Sequence, residues 1–135
     1  MIFVDTGAWF SLAVKEDEDH AAALDFFKKN SEVLATSDLV AVETMNLLRF
    51  RHRGKKGLEL ACRVGDDIWD QRVARLIRVQ PEDILSARRL FRRYRDKTFS
   101  FTDCTSFVLI ERTRIKKAFA FDRHFDQFPG FERFP

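Results

Sequence analysis

Two short apolar runs each stop at an aspartate. Ile2-Phe3-Val4 ends at Asp5, and Ala118-Phe119-Ala120-Phe121 ends at Asp122. Runs this short and this apolar suit strands buried on both faces. The stretches between them carry helical patterns. Parallel strands need long crossover connections, so strands alternating with helices dictate a mainly parallel sheet with helices on both faces. Ligands bind such sheets beyond the carboxyl ends of the strands, and Asp5 and Asp122 both fall on that rim.

The expected elements follow from local chemistry. After the strand Ile2–Val4, Thr6-Gly7 turns into a helix over Ala8–Val14. Glu16–Asp19 makes an acidic start to a second helix, with Ala22, Leu24, Phe26 and Phe27 apolar. A second strand is expected at Glu32–Ala35. Thr36-Ser37-Asp38 then offers N-caps for a helix over Leu39–His52. Gly54 and Gly57 bracket a basic turn. Leu58 to Asp70 reads as a helix despite Gly65, and Val73–Val79 as a strand. Pro81 takes the first position of a helix that runs to Asp96, with Glu82 and Asp83 in its first turn. Ser100 or Thr102 caps the next, through Ile115. Ala118–Phe121 and an edge strand at Phe131–Phe134 complete the series. At 135 residues without linker or repeat, the chain is expected to be one domain, 1–135.

Two further acids join the rim. Glu43 lies in the second turn of its helix, four residues from Leu39 and from Leu47 in a stripe of Leu39, Val42, Leu47 and Phe50. Asn46 shares that face. Asp103 opens its helix, with Phe107 and Ile110 four and seven residues on. That helix descends roughly 20 Å. The strand after it climbs back roughly 17 Å, so Asp103 and Asp122 finish on one rim. Two carboxylates about 5 Å apart repel by roughly 3 kcal/mol at an effective dielectric of about 20. Four together need cations. Oxygen ligands suit Mg²⁺ or Mn²⁺ better than zinc. His20, His52 and His124 show no paired ligand spacing; His124, near Asp122, is placed either to touch substrate or, the preferred reading, in a surface or capping role.

Composition bounds the rest. Apolar content of 45% fits a globular protein, and no apolar run is long enough to span a bilayer. No signal peptide is evident, and Cys62 and Cys104 read as buried free thiols, so a cytoplasmic location is expected. The net charge of +3 hides an asymmetry: residues 1–48 carry −6 and the remainder +9, with 16 Arg among 24 basic residues. Arg binds phosphate bidentately and stacks on bases, which favours a nucleic-acid partner. Arg49, Arg51, Arg53, Lys55 and Lys56 follow the Glu43 helix. Arg88, Arg89, Arg92, Arg93 and Arg95 stud the helix after Pro81, where a solvated face is the preferred reading. Trp9, Phe10, Leu12 and Phe26-Phe27, among 15 Phe in all, suggest an apolar surface or a Phe-rich core.

Three segments resemble a known family. Residues 2–9, Ile-Phe-Val-Asp-Thr-Gly-Ala-Trp, resemble the first-strand motif of the PIN domain. Ser100-Phe101-Thr102-Asp103-Cys104-Thr105-Ser106 resembles its third-acid motif. Phe121-Asp122-Arg123-His124-Phe125 with Gly130-Phe131 resembles its C-terminal signature. Glu43 with Asn46, Leu47 and Leu48 fits the second acid. The whole chain is similar to VapC-type toxin ribonucleases, with Gly7 where many members carry Ser. The resemblance implies a three-layer α/β/α fold and Mg²⁺- or Mn²⁺-dependent endonuclease action on RNA. It implies metal-site roles for Asp5, Glu43, Asp103 and Asp122. Thr6, Asn46 and Thr102 are expected to orient ligands, and Asp126 to be a further acid or merely exposed. It also implies a VapB-type antitoxin and a homodimer. Other readings are an RNA-processing or DNA-directed nuclease of the same fold, a receiver-like signalling domain, and a non-enzymatic binding domain.

Overall fold

The computed structural model describes residues 1–51 and 54–135. Five strands make one sheet: β1 (Ile2–Val4), β2 (Leu34–Ser37), β3 (Arg75–Ile77), β4 (Lys117–Phe119) and β5 (Glu132–Phe134). All pairings are parallel, in the order β3-β2-β1-β4-β5. Six helices flank it in a three-layer α/β/α arrangement: α1 (Thr6–Ala13), α2 (His20–Lys29), α3 (Asp38–Arg51), α4 (Lys55–Trp69), α5 (Pro81–Arg93) and α6 (Phe101–Thr113). A single 3-10 turn, Arg123–Asp126, precedes β5.

The strand order places the crevice. The chain builds outward from β1 to β3, then returns to the other side of β1 with β4. Loops leaving β1 and β4 therefore diverge at a switch point, where doubly wound sheets bind ligands. Asp5 follows β1, and its N–H extends the ladder by donating to Phe119 O at 3.0 Å. A receiver-like domain would run 2-1-3-4-5, so that reading fails on topology.

Short buried strands hold because their polar groups are satisfied. Thr36 is fully buried, yet its hydroxyl donates to Val4 O at 2.9 Å and accepts from Trp9 Nε1 at 3.2 Å. This bond ties β2, β1 and α1 together. Ser37 Oγ then caps α3, accepting from Val40 N at 3.1 Å. Thus β2 lies two residues later than expected. Glu32 is instead taken up at the opposite end of the sheet by Lys117 and the Met1 amino group. Helix α1 begins at Thr6, not Ala8, because Asp5 is its cap. The acids at 16–19 precede α2 rather than open it. Strand β4 ends at Phe119, before Phe121. Ser100, not Thr102, caps α6.

The inner stripe of α3 also differs. Its buried positions are Val40, Ala41, Thr44 and Leu48, whereas Val42 and Phe50 are exposed. A polar Thr among small residues lets α3 pack closely, and hydrophobicity alone pointed at the wrong face. Glu43 therefore lies at the edge of the buried stripe and Asn46 lies outside it. Helix α4 passes through Gly65 unbroken, and the glycine makes room for α3, since a Cβ there would meet Met45 Sδ at 2.7 Å. Trp9 and Phe10 belong to the core, and Cys62 is exposed while Cys104 is buried. His52 and Arg53 lie outside the described residues. With them go the expected last residue of α3 and one of the basic positions after Glu43.

Five of the 15 Phe, Phe99, Phe107, Phe125, Phe128 and Phe131, pack together around the 3-10 turn. The Phe107 ring lies 4.5 Å from that of Phe128 and 5.1 Å from those of Phe99 and Phe125. This cluster fixes the segment carrying Asp122 and His124. Phe107→Ala should destabilise the protein by about 3–5 kcal/mol in urea denaturation, and Phe107→Leu by clearly less. A loss in Phe107→Ala under about 1 kcal/mol would show that the cluster is not packed as described.

Candidate active site

Three aspartates stand at three helical N-termini that open on the same rim. Asp5 caps α1, its Oδ2 accepting from Gly7 N at 3.3 Å. Asp103 is the third residue of α6 and forms a reciprocal box with Ser100. Asp103 Oδ2 accepts from Ser100 N at 2.8 Å, and Asp103 N donates to Ser100 Oγ at 3.0 Å. Asp122 caps the 3-10 turn, its Oδ1 accepting from His124 N at 2.8 Å. One oxygen of each is spent on its own backbone, which fixes the carboxylate plane. The positive ends of the helices favour the ionised forms.

Capping alone would explain each aspartate singly. Glu43 has no such excuse. It sits within α3, half-buried, and its partner is Thr6, whose Oγ1 donates to Oε2 at 2.6 Å. Thr6 directly follows Asp5, so this bond draws α3 to the end of β1. Asp5 feels the charges of both Asp103 and Glu43. Asp103 in turn feels Asp122. The four acids form one electrostatic series across the switch point. Among the described residues, no Lys or Arg pairs with any of them.

His124 joins them. Its Nδ1 lies 3.3 Å from Asp103 Oδ2 and 3.2 Å from Asp122 Oδ2. Neither approach is aligned as a hydrogen bond, so Nδ1 is buried without an aligned partner between two carboxylates. Nε2 meets Thr98 Oγ1 at 2.8 Å, and Phe99 packs against the ring. The surface role expected for His124 is thereby corrected. The Asp-x-His spacing within one tight turn was the available signal. Asp103, Asp122 and His124 each bring a ligand atom within 4.8 Å of the others.

Among the described residues, the other expected supporting residues make no side-chain hydrogen bond to the four acids. Asn46 is exposed. Thr102 is half-buried and uses only its carbonyl, which accepts from Thr105 Oγ1. Asp126 pairs with Arg133 Nε at 2.7 Å, and Arg133 also reaches Ala120 O and Pro135 O. That pair ties the 3-10 turn to β5.

The donor set fits a divalent cation. Desolvation, then the charge of Asp103, pushes the Asp5 carboxyl up to about 7, against backbone bonds from Thr6 and Gly7 that lower it. Asp103 is also raised, chiefly by burial and further by Asp122, with the Ser100 backbone bond and His124 opposing. Carboxyls held this way bind protons unless a cation replaces them. Cys104, beside Asp103, is pushed up to about 11 by burial, which makes it an inert thiol.

The chain belongs to the PIN-domain family, a family of nucleases, whose model matches residues 2–130. It is similar to the 23S rRNA-specific endonuclease VapC20 of Mycobacterium tuberculosis, from strains CDC 1551 / Oshkosh and H37Rv alike. Identity is 31% over 125 residues, spanning 93% of this chain and 92% of the relative. The crystal structure of that VapC20, described as a sarcin-ricin loop cleaving toxin, superposes with a TM-score of 0.91. It covers 100% of both chains at 30% identity.

The Asp5 shift has a sign that can be checked without metal. Its carboxyl gives up its proton near pH 4 when unfolded but only at about 7 when folded. The folded state thus binds the extra proton between those values, and metal-free stability falls as pH rises through that window. Asp5→Asn removes the penalty. In EDTA at pH 8 that variant should be more stable than wild type, by up to the order of 4 kcal/mol. The advantage should vanish near pH 4. Equal urea midpoints for both proteins at both pH values would refute it.

Proposed function

We propose that residues 1–135 act as a single-domain, Mg²⁺- or Mn²⁺-dependent endoribonuclease, the toxin of a VapBC-like pair. The observation that carries this reading is the Glu43–Asp5–Asp103–Asp122 series, buried in part and without a Lys or Arg partner among the described residues. Such a set is costly unless it serves to bind cations. Similarity to an rRNA endonuclease over the whole chain supports RNA as substrate.

Asp5, Asp103 and Asp122 would hold the ion, with His124 Nδ1 beside Asp103 Oδ2 and Asp122 Oδ2. A divalent ion bound there supplies charge that acidifies a water and offsets the phosphate's negative charge. Glu43, held by Thr6 but still half-exposed, is placed to accept the water's proton. Asp5 is too deeply buried for that task and serves as ligand. Water oxygen would bond to phosphorus, its proton passing to Glu43, as the P–O3′ bond breaks; the departing 3′-oxygen takes a proton from solvent water, giving a 5′-phosphate and a 3′-hydroxyl. The same carboxylates would serve a processing or DNA-directed nuclease. The relative's printed substrate makes a large-subunit rRNA hairpin the first molecule to offer.

A VapB-type antitoxin and a homodimer accompany this reading. The exposed Val42 and Phe50 on α3 suit a protein interface. No described helix is long and apolar enough to cross a membrane, and a cytoplasmic setting fits a partner made of RNA.

Purified protein should cleave RNA with Mn²⁺ or Mg²⁺ and stop in EDTA. Asp5→Asn and Asp103→Asn should each lower single-turnover cleavage by at least about 100-fold while keeping the native circular dichroism spectrum. Full activity in either variant, or cleavage in EDTA, would sink the reading. Sedimentation should show a dimer that Phe50→Asp weakens; a wild-type monomer at high concentration would remove the dimer.

A further inference from the structure

We propose that Phe91, Arg88 and Arg92 form an RNA subsite beside the acidic rim, where an unpaired base stacks on the Phe91 ring and its flanking phosphates meet the two guanidiniums. The proposal rests on the nuclease reading and adds to it where the RNA lies.

Phe91 is half exposed although Ala87, one turn earlier on the same face of α5, is fully buried. Its ring meets that of Phe101 edge to face, with centroids 5.9 Å apart and planes at 80°. Phe101 is the first residue of α6, two before Asp103. An aromatic surface therefore stands at the edge of the acid cluster, held by a second ring. Helix α5 ends and α6 begins within a few residues of this contact, so it lies on the strand-end rim.

The charges around the ring are equally placed. Arg88 is one helical turn before Phe91, and Arg92 is next to it and one turn after Arg88. Both are exposed, and neither has a carboxylate within 4.0 Å among the described residues. Several basic side chains elsewhere are already engaged. Lys56 pairs with Glu16, Arg78 with Asp38, Arg112 with buried Asp83, and Arg133 with Asp126. In the basic stretch after Glu43, Arg49 bonds Gly54 O and Arg51 lies over the Phe10 ring. Like charges four residues apart on a helix are destabilising. The last-turn dipole accounts for Arg92 but not for Arg88 in mid-helix. A phosphate backbone supplies the missing counter-charge. Ring stacking needs an open base face, so the occupant is unpaired RNA rather than duplex.

The test uses Asp5→Asn protein, which leaves the RNA intact, with a labelled short single-stranded RNA and a duplex of equal length. Fluorescence anisotropy gives the affinities. Adding Phe91→Ala should weaken single-strand binding about ten-fold, with little effect on duplex. Phe91→Trp should retain binding. Arg88→Gln with Arg92→Gln should reduce the slope of log affinity against log salt by about 1.4. Unchanged affinity in Phe91→Ala, or an equal loss on duplex, overturns the subsite. So does a sedimentation shift from dimer to monomer that accompanies the loss, since the ring would then belong to a protein interface. Cleavage by the wild-type chain is assayed in parallel. If it cuts RNA while Phe91→Ala binds normally, only the subsite falls; if it cuts none, both fall.

Discussion

Repulsion among four carboxylates, those of Asp5 and Asp103 buried, is the constraint around which this molecule is arranged. The sheet reverses its strand order between β1 and β4, and the loops after those strands hold Asp5 and Asp122. Three N-terminal ends, of α1, α6 and the 3-10 turn, bring backbone N–H groups to the same rim. Those donors lower the cost of the negative charge but do not remove it: Asp5 is still pushed up to about 7. A fold that places a carboxyl so that it resists ionisation near neutrality has traded stability for a binding site. On the proposed reading, a divalent cation that replaces the protons recovers that loss.

The surrounding architecture serves to hold the acids at fixed positions. Buried Thr36 locks β2 to β1 and to Trp9, and Ser37 starts α3 at the rim. The Thr6–Glu43 bond then brings α3 inward at one point. On the far side, Phe99, Phe107, Phe125 and Phe128 pack beneath the turn that carries Asp122 and His124. Rigid support of this kind is what orientation of a water and a phosphate demands.

Much of this was legible in the sequence because strand ends and helix starts have strong local signatures. Ile2–Val4 followed by Asp5, and Ser100 three residues before Asp103, each announce their own geometry. The parallel sheet followed from alternation alone. The inner face of α3 did not, since Thr44 is buried by close packing while Val42 and Phe50 are left outside. His124 was underweighted because spacing rules look for paired histidines, whereas here one ring bridges acids from two elements. Asp126, open between a further acid and an exposed one, is the exposed one, and Arg133, reaching over from β5, pairs with it. Each miss concerns a tertiary contact that no local pattern encodes.

The most direct measurement is anomalous X-ray diffraction from crystals of the wild-type protein soaked in Mn²⁺. A manganese peak is expected within coordination distance of Asp5 and Asp103, lost when Asp5 is replaced by Asn. Manganese found only at surface carboxylates, with Asp5 and Asp103 sharing a proton instead, would contradict it.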